Sequence, residues 1–292
     1  MKITLGPLPY FWEKNTVLNF YQAAAESPAD VIYLGESVCS KRRQLSQEDW
    51  VALAKELNQA GKQTVLSTLA LIEAESELHS LRRLCELAAD ENLLVEANDM
   101  AAVQFLSELK QPFVAGPALN IYNGSSLDLL ARAGCIRWVP PLELGKDAIA
   151  DICEASTQKP ETELFAYGHM TLAYSARCYT ARAHNIPKDQ CRFICLQHPT
   201  GMKATSQDGQ ELFTLNGIQT QSGKCLNLLN QWQEIRSQGI ELIRLAPESP
   251  AVLNLVSSLK DSMENDLTTV TPYTEQHCNG YWNRLAGMEL QV

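Results

Sequence analysis

Apolar residues along the chain alternate between two patterns. Short runs of β-branched and other apolar residues recur at Ile3–Gly6, Val31–Gly35, Thr64–Thr68, Leu93–Glu96, Phe113–Ala118, Ile136–Val139, Leu164–Tyr167 and Ile240–Leu245, each with the length of a buried strand. Each of the first six leads into a segment with helical spacing. In Ser46–Ala60, Trp50, Leu53, Ala54 and Leu57 form one apolar face. Ser46 is placed to cap that helix, Gln47, Glu48 and Asp49 suit the positive end of its dipole, and Gly61 ends it. Glu73–Ala89 repeats the pattern through Leu78, Leu81, Leu84, Cys85 and Ala88, which makes Cys85 a packing residue. Strand–helix alternation calls for a parallel sheet with right-handed crossovers, and eight strands predict an α/β fold of the (β/α)8 TIM-barrel type. An open doubly wound sheet shares the alternation, but no G-x-G-x-x-G follows the first run.

The alternation breaks once, over about 171–239. This interval holds three cysteines, a turn-rich passage (HPTGMKATSQDGQE), a strand-like run FTLNGIQT and a helical pattern from about Cys225 to Ser237. With no internal repeat and no linker, residues 1–292 read as one barrel domain carrying a long excursion after strand seven. A barrel displays its chemistry on the loops that follow its strands. That face includes the excursion and also Cys39, just beyond strand two in VIYLGESVCSKRR.

Charge and cysteine content narrow the class. The 34 acidic and 24 basic residues give a net charge of −10, which disfavours a nucleic acid as main partner. The chain lacks both an apolar stretch long enough to span a bilayer and the apolar core of a signal peptide at MKITLGPLPYFW, so a cytoplasmic location is expected. Nine cysteines, an odd number in a reducing compartment, are then packing residues or metal ligands rather than a disulfide framework.

Cys178, Cys191 and Cys195 follow C-x12-C-x3-C. Thiolates at such spacing suit zinc or an iron–sulfur cluster, and a closed site needs a fourth ligand. Cys39, Cys225 and Cys278 are the candidates, and spacing alone leaves all three open. Cys135 and Cys153 sit among apolar neighbours and read as core. Polar residues around the three thiols (Arg177, Arg182, His184, Lys188, Asp189, Gln190 and Arg192) cannot all line a core. Lys41, Arg42 and Arg43 beside Cys39 could offset thiolate charge or dock an anionic ligand, or form an ordinary solvated charge run.

The segment ELFAYGHMTLAYSARCYT resembles the signature of peptidase family U32 through Glu163, Phe165, Gly168, Tyr174, Ser175, Arg177, Cys178 and Tyr179. Six blocks across the chain, VIYLGESVCSKRR, VLSTLALIEA, PFVAGPALNIYN, AYSARCYTAR, LNGIQTQSG and CNGYWNRLAGMELQ, resemble a branch of that family serving ubiquinone biosynthesis. The resemblance implies a [4Fe–4S] cluster on Cys39, Cys178, Cys191 and Cys195. Many relatives have a cysteine where this chain has Thr171, and the resemblance assigns the replacement thiol to Cys39. It further implies oxygen-independent hydroxylation of a prenylated aromatic quinone precursor, in a heterodimer with a sister subunit, with prephenate as oxygen donor.

Two other readings stand beside this one. The cluster could staple the excursion to the barrel in a non-catalytic partner, or the chain could hydroxylate RNA as other U32 relatives do, which its acidity disfavours. The family's peptidase label finds little support. The sequence has no G-x-S-x-G or H-E-x-x-H, its five histidines show no triad or ligand spacing, and although His169 precedes Cys178 closely, a thiol committed to a cluster is not a free nucleophile. Glu36, Glu96, Asn120 and His169 fall where a barrel displays chemistry, while Glu163 is expected to precede strand seven on the opposite, structural face. No catalytic residue is assigned. The aromatic ends PYFW and GYW read as core.

Overall fold

The computed structural model describes residues 1–292. Its centre is a ring of eight parallel strands: β1 (Lys2–Leu5), β2 (Val31–Leu34), β3 (Gln63–Ser67), β4 (Leu94–Ala97), β5 (Phe113–Ala115), β6 (Cys135–Trp138), the first half of β7 (Glu161–Tyr174), and β11 (Leu242–Leu245). β11 pairs in parallel with both β1 and β7, which closes the barrel. All eight strands fall on the expected apolar runs. Helices α1 (Lys14–Glu26), α2 (Gln47–Gln59), α3 (Glu75–Asp90), α4 (Met100–Glu108), α5 (Gly124–Arg132) and α6 (Lys146–Ala155) follow the first six strands.

Local chemistry explains these elements. Ser46 Oγ accepts the Asp49 N–H at 3.1 Å while the Asp49 carboxylate accepts the Ser46 N–H at 2.9 Å, a reciprocal cap that satisfies two otherwise orphaned donors of α2. Cys85 is fully buried on α3. Along β2 the side chains alternate. Ile32 and Leu34 join the large core between sheet and helices, whereas Val31 and Tyr33 pack with Val65, Val114, Val139 and Leu242, one face of the pleat each. The Tyr10–Trp12 segment and Trp282 are buried, as expected for core.

Four charged residues share the barrel interior. Arg244 donates from Nε to Glu163 Oε1 and from Nη1 to Glu96 Oε1, both at 2.7 Å. Tyr33 Oη donates to Glu163 Oε2 at 2.5 Å, and Arg137 Nη1 lies 3.7 Å from that oxygen. Glu163 therefore does not precede strand seven. β7 begins at Glu161, because Glu161 and Thr162 already pair with Arg137 and Trp138 of β6, and Glu163 sits fully buried inside the ring. Its location is the core rather than the far face, and there it bonds the barrel's own side chains.

Burial alone would push the Glu163 carboxyl up, but Arg244, Arg137 and the Tyr33 hydroxyl outweigh it and hold the group below its ordinary value. A depressed folded value means that this stabilisation is fully present above the unfolded carboxylate's pKa of about 4.3 and is lost as pH falls through the folded one. Urea denaturation in steps below about pH 4.3 is expected to give a shallower acid loss of stability for Glu163→Gln than for the parent.

β7 then leaves the barrel and carries the excursion. After α7 (Tyr179–Ala183) come β8 (Met202–Thr205), β9 (Glu211–Asn216) and β10 (Gln219–Asn227), and β10 returns antiparallel along the outer half of β7. FTLNGIQT is thus two strands rather than one, turning at Gly217 and Ile218 with Gly217 at φ 63°; a glycine at positive φ is what a two-residue hairpin loop requires. The helical pattern of Cys225–Ser237 is likewise corrected. Cys225 to Asn227 belong to β10, and the helix, α8, spans only Trp232–Ser237. α9 (Val252–Glu264) follows β11, and β12 (His277–Cys278) pairs with β10. No helix is long and apolar enough to cross a membrane.

Candidate functional site

The loop after β2 and the cysteine segment of the excursion meet at the mouth of the barrel. The Glu36 carboxylate accepts the N–H groups of Val38 at 2.8 Å and Cys39 at 3.0 Å, which curls the loop around Cys39. Lys41 Nζ donates to the Lys188 carbonyl at 2.8 Å, and Lys188 Nζ donates to the Ala176 carbonyl at 2.8 Å. The segment is also pinned to the hairpin turn, since the Tyr179 N–H donates to the Gly217 carbonyl at 2.7 Å and the Gly217 N–H to Thr180 Oγ1 at 3.0 Å.

These ties bring the predicted thiols into one electrostatic neighbourhood. Burial pushes up the thiols of Cys39 and Cys195; the Cys178 charge adds to both shifts, and the Cys191 charge adds to that of Cys195. Arg192 and Phe193 adopt left-handed backbone at φ 48° and 55°, turning the chain between Cys191 and Cys195. The Ala181 N–H donates to Cys178 Sγ at 3.4 Å.

Arg42 lies beside these thiols, and its charge draws the Cys39 and Cys195 thiols back down. Only 5% exposed, it donates from Nη1 to the Pro9 carbonyl at 3.0 Å and from Nη2 to Asn216 Oδ1 at 2.7 Å, while its Nε has no partner. The hairpin turn rests on it: a Cβ at Gly217 would come within 3.0 Å of Nη2. The basic run after Cys39 is therefore not one solvated face. Arg42 is buried, Lys41 bridges to the excursion, and Arg43 alone of the three is exposed. Four thiols, an N–H to sulfur and a buried cation with a spare donor fit a thiolate-held cluster, whose excess negative charge such groups offset.

The other two candidates for the fourth ligand lie elsewhere. Cys225 faces His169 across the β7–β10 ladder, and Cys278 neighbours Cys225 through β12. Cys135 is buried and Cys153 is partly buried against the main core.

Two cavities open near this face. One of about 280 Å³ fills the barrel mouth and is lined by Glu96, Asn98, Asn120, His169, Gln221 and Arg244 among others. Three of the four positions singled out for chemistry, Glu96, Asn120 and His169, thus share it. Thr171 lines it too, opposite Gln221 in the ladder. Gln221 Oε1 and Arg244 Nη2 are buried there without partners. The second, about 650 Å³, runs between α2 and α3 past Glu36 and Arg42, with Leu45, Trp50, Leu66, Ile72, Leu81 and Leu84 in its wall. Sequence spacing signalled neither Arg244 nor Glu248 as site residues. Arg244 had one cue, a cation inside the apolar run LIRL.

Fold and site together define a (β/α)8 barrel whose seventh strand runs out into a thiol-bearing excursion. The family model described as peptidase family U32 matches residues 17–260, and the chain belongs to that family. Among solved structures it is similar to the U32 peptidase Mk0906 (13% identity, 84% of this chain and 92% of that one, TM-score 0.46). It is also similar to dihydropteroate synthase from Thermus thermophilus (10% identity, 90% and 92% covered, TM-score 0.45). A third likeness is to a mandelate racemase/muconate lactonizing protein from Paracoccus denitrificans PD1222 (11% identity, 57% and 48% covered, TM-score 0.40). The chain spans about half the length of that last protein.

Proposed function

We propose that the chain is a UbiV-like iron–sulfur subunit that works with a UbiU-like sister subunit in the oxygen-independent hydroxylation steps of ubiquinone biosynthesis. Cys39, Cys178, Cys191 and Cys195 would hold a [4Fe–4S] cluster, which when bound supplies one-electron transfer. The observation that carries this reading is the meeting of the Cys39 loop and the cysteine segment beside buried Arg42, whose Nε is unpartnered.

The chain's own residues have separate tasks in this reading. Arg42 offsets thiolate charge, and Glu36 and Lys41 fix the Cys39 loop. Leu45, Trp50, Leu66, Ile72, Leu81 and Leu84 give the cleft between α2 and α3, lined elsewhere mainly by polar and charged side chains, an apolar strip for the isoprenoid tail of a prenylated precursor, and its volume lies in the range of small-molecule sites. Asn98, Asn120 and Gln221 present polar groups to an oxygenated ring, or to prephenate as oxygen donor, in the barrel mouth.

Anaerobic purification with iron and sulfide analysis tests the proposal. The parent protein should contain a full complement of iron and sulfide. Cys39→Ala should lose it, and Cys225→Ala should keep it. Zinc in place of iron, or a cluster that survives Cys39→Ala, overturns the assignment.

A further inference from the structure

A second group of side chains of metal-ligand type, distinct from the four thiols just discussed, lies beside the barrel-mouth cavity that His169 lines. His169 on β7 and Cys225 on β10 are direct cross-strand partners, so their side chains leave the same face of the ladder. Glu248, just past β11, reaches the same place. An imidazole nitrogen, the thiol sulfur and a carboxylate oxygen lie within 4.8 Å of one another, close enough for small side-chain rotations to bring all three to bonding distance, about 2.0–2.3 Å, from one ion. We propose that His169, Cys225 and Glu248 bind a single divalent first-row transition-metal ion of the zinc class.

The donor set selects the ion. One nitrogen, one sulfur and one oxygen match zinc and its neighbours, whereas calcium and magnesium take oxygen ligands. Charge agrees, because a thiolate and a carboxylate cancel the two positive charges of the ion and leave a neutral site. Cys225 is 7% exposed and lies beside the Glu248 carboxylate, so a thiolate there needs a compensating cation. The Cys225 S–H donates to the Leu226 carbonyl at 3.4 Å, a bond that ion binding would exchange for one to the metal.

The backbone is shaped to admit Glu248. Gly168 has φ 131°, and a Cβ there would fall 2.6 Å from Ala246 Cβ and 3.4 Å from Glu248 Oε1. The next residue then holds the carboxylate twice, through the His169 N–H at 2.5 Å and Nδ1 at 2.8 Å. His169 also lines the cavity, so an ion held by three protein ligands would keep a position open for water or for an oxygen atom of the cavity's occupant. The same residue types could make a cysteine–histidine–glutamate hydrolytic triad. That chemistry needs an accessible thiol activated by a nearby cation, and Cys225 is instead buried beside a carboxylate.

Binding displaces the Cys225 proton to solvent and changes no oxidation state, so cobalt(II) can serve as the probe. Titration of the anaerobically purified chain with Co²⁺ should show one equivalent bound, with a thiolate-to-cobalt charge-transfer band in the near ultraviolet. Cys225→Ser should abolish the band and Cys39→Ala should leave it. His169→Ala and Glu248→Gln should each weaken binding by more than about 100-fold, beyond the usual effect of an outer-shell partner. No band in the parent, a band that persists in Cys225→Ser, or one lost with Cys39→Ala overturns the site. If Cys225→Ser does not fold, Glu248→Gln decides, and unchanged affinity there has the same meaning.

Discussion

Arg244→Met is expected to destabilise the protein by about 3–5 kcal/mol, the usual cost of removing one partner from a buried ion network. The guanidinium has Glu163 on one side and Glu96 on the other, each at 2.7 Å, and it stacks over the Tyr33 ring at 4.1 Å. Methionine fills much of the same space but leaves two carboxylates in the barrel with only Arg137 near Glu163. The midpoint of urea unfolding measures the effect. A loss under about 1 kcal/mol would mean that water reaches the carboxylates, since exposed pairs contribute on that scale. Glu163→Gln combined with Arg244→Met should recover part of the loss, because the double variant leaves one buried carboxylate without its Arg244 partner instead of two.

The second large effect is expected at Gly168. Alanine there meets a backbone conformation that side chains rarely adopt, costing about 1–3 kcal/mol, and its methyl group would overlap Ala246 in a packed interior, costing a further 1–3 kcal/mol or so. The shift needed to relieve the overlap moves Ala246 and Glu248 away from β7, and the His169–Glu248 contact opens with them. Thermal or urea unfolding should show a loss of about 2–6 kcal/mol. An unchanged Gly168→Ala protein would mean that β7 and the loop after β11 are not held as described. The Glu163, Phe165 and Gly168 positions of the family signature thereby acquire a physical meaning. Glu163 anchors the ion network, Phe165 lines the barrel-mouth cavity, and Gly168 lets two strands approach.

The barrel was legible because its strands are short apolar runs separated by helices of regular period, and burial on both faces leaves such runs few alternatives. The excursion was less so. In FTLNGIQT the Asn216–Gly217 pair marks a turn, but the apolar residues flanking it also read as one continuous strand. Cys225, Leu226, Leu229 and Trp232 have spacing that suits a helix, yet pairing of Cys225–Asn227 with His169–Tyr167 extends the backbone instead, tertiary contacts overriding local preference. Cys178, Cys191 and Cys195 were visible as a cluster of thiols, and Cys39 as a cysteine on the correct face. The grouping of His169, Cys225 and Glu248 left no trace in spacing. Residues 169 and 248 are 79 positions apart, and only closure of the ring by β11 joins them.

The double use of β7 limits how this chain can vary. Its first half is a stave of the barrel, and its second half supports the hairpin to which the cysteine segment is tied. Side chains on a strand alternate in direction, so inserting or deleting one residue between Gly168 and Tyr174 would reverse every position beyond it relative to Glu163. The Ser206–Gln210 turn between β8 and β9 has no such duty, and Gly209 within it faces open space. Length changes, tags and grafted loops therefore belong at that outer tip rather than in the outer half of β7.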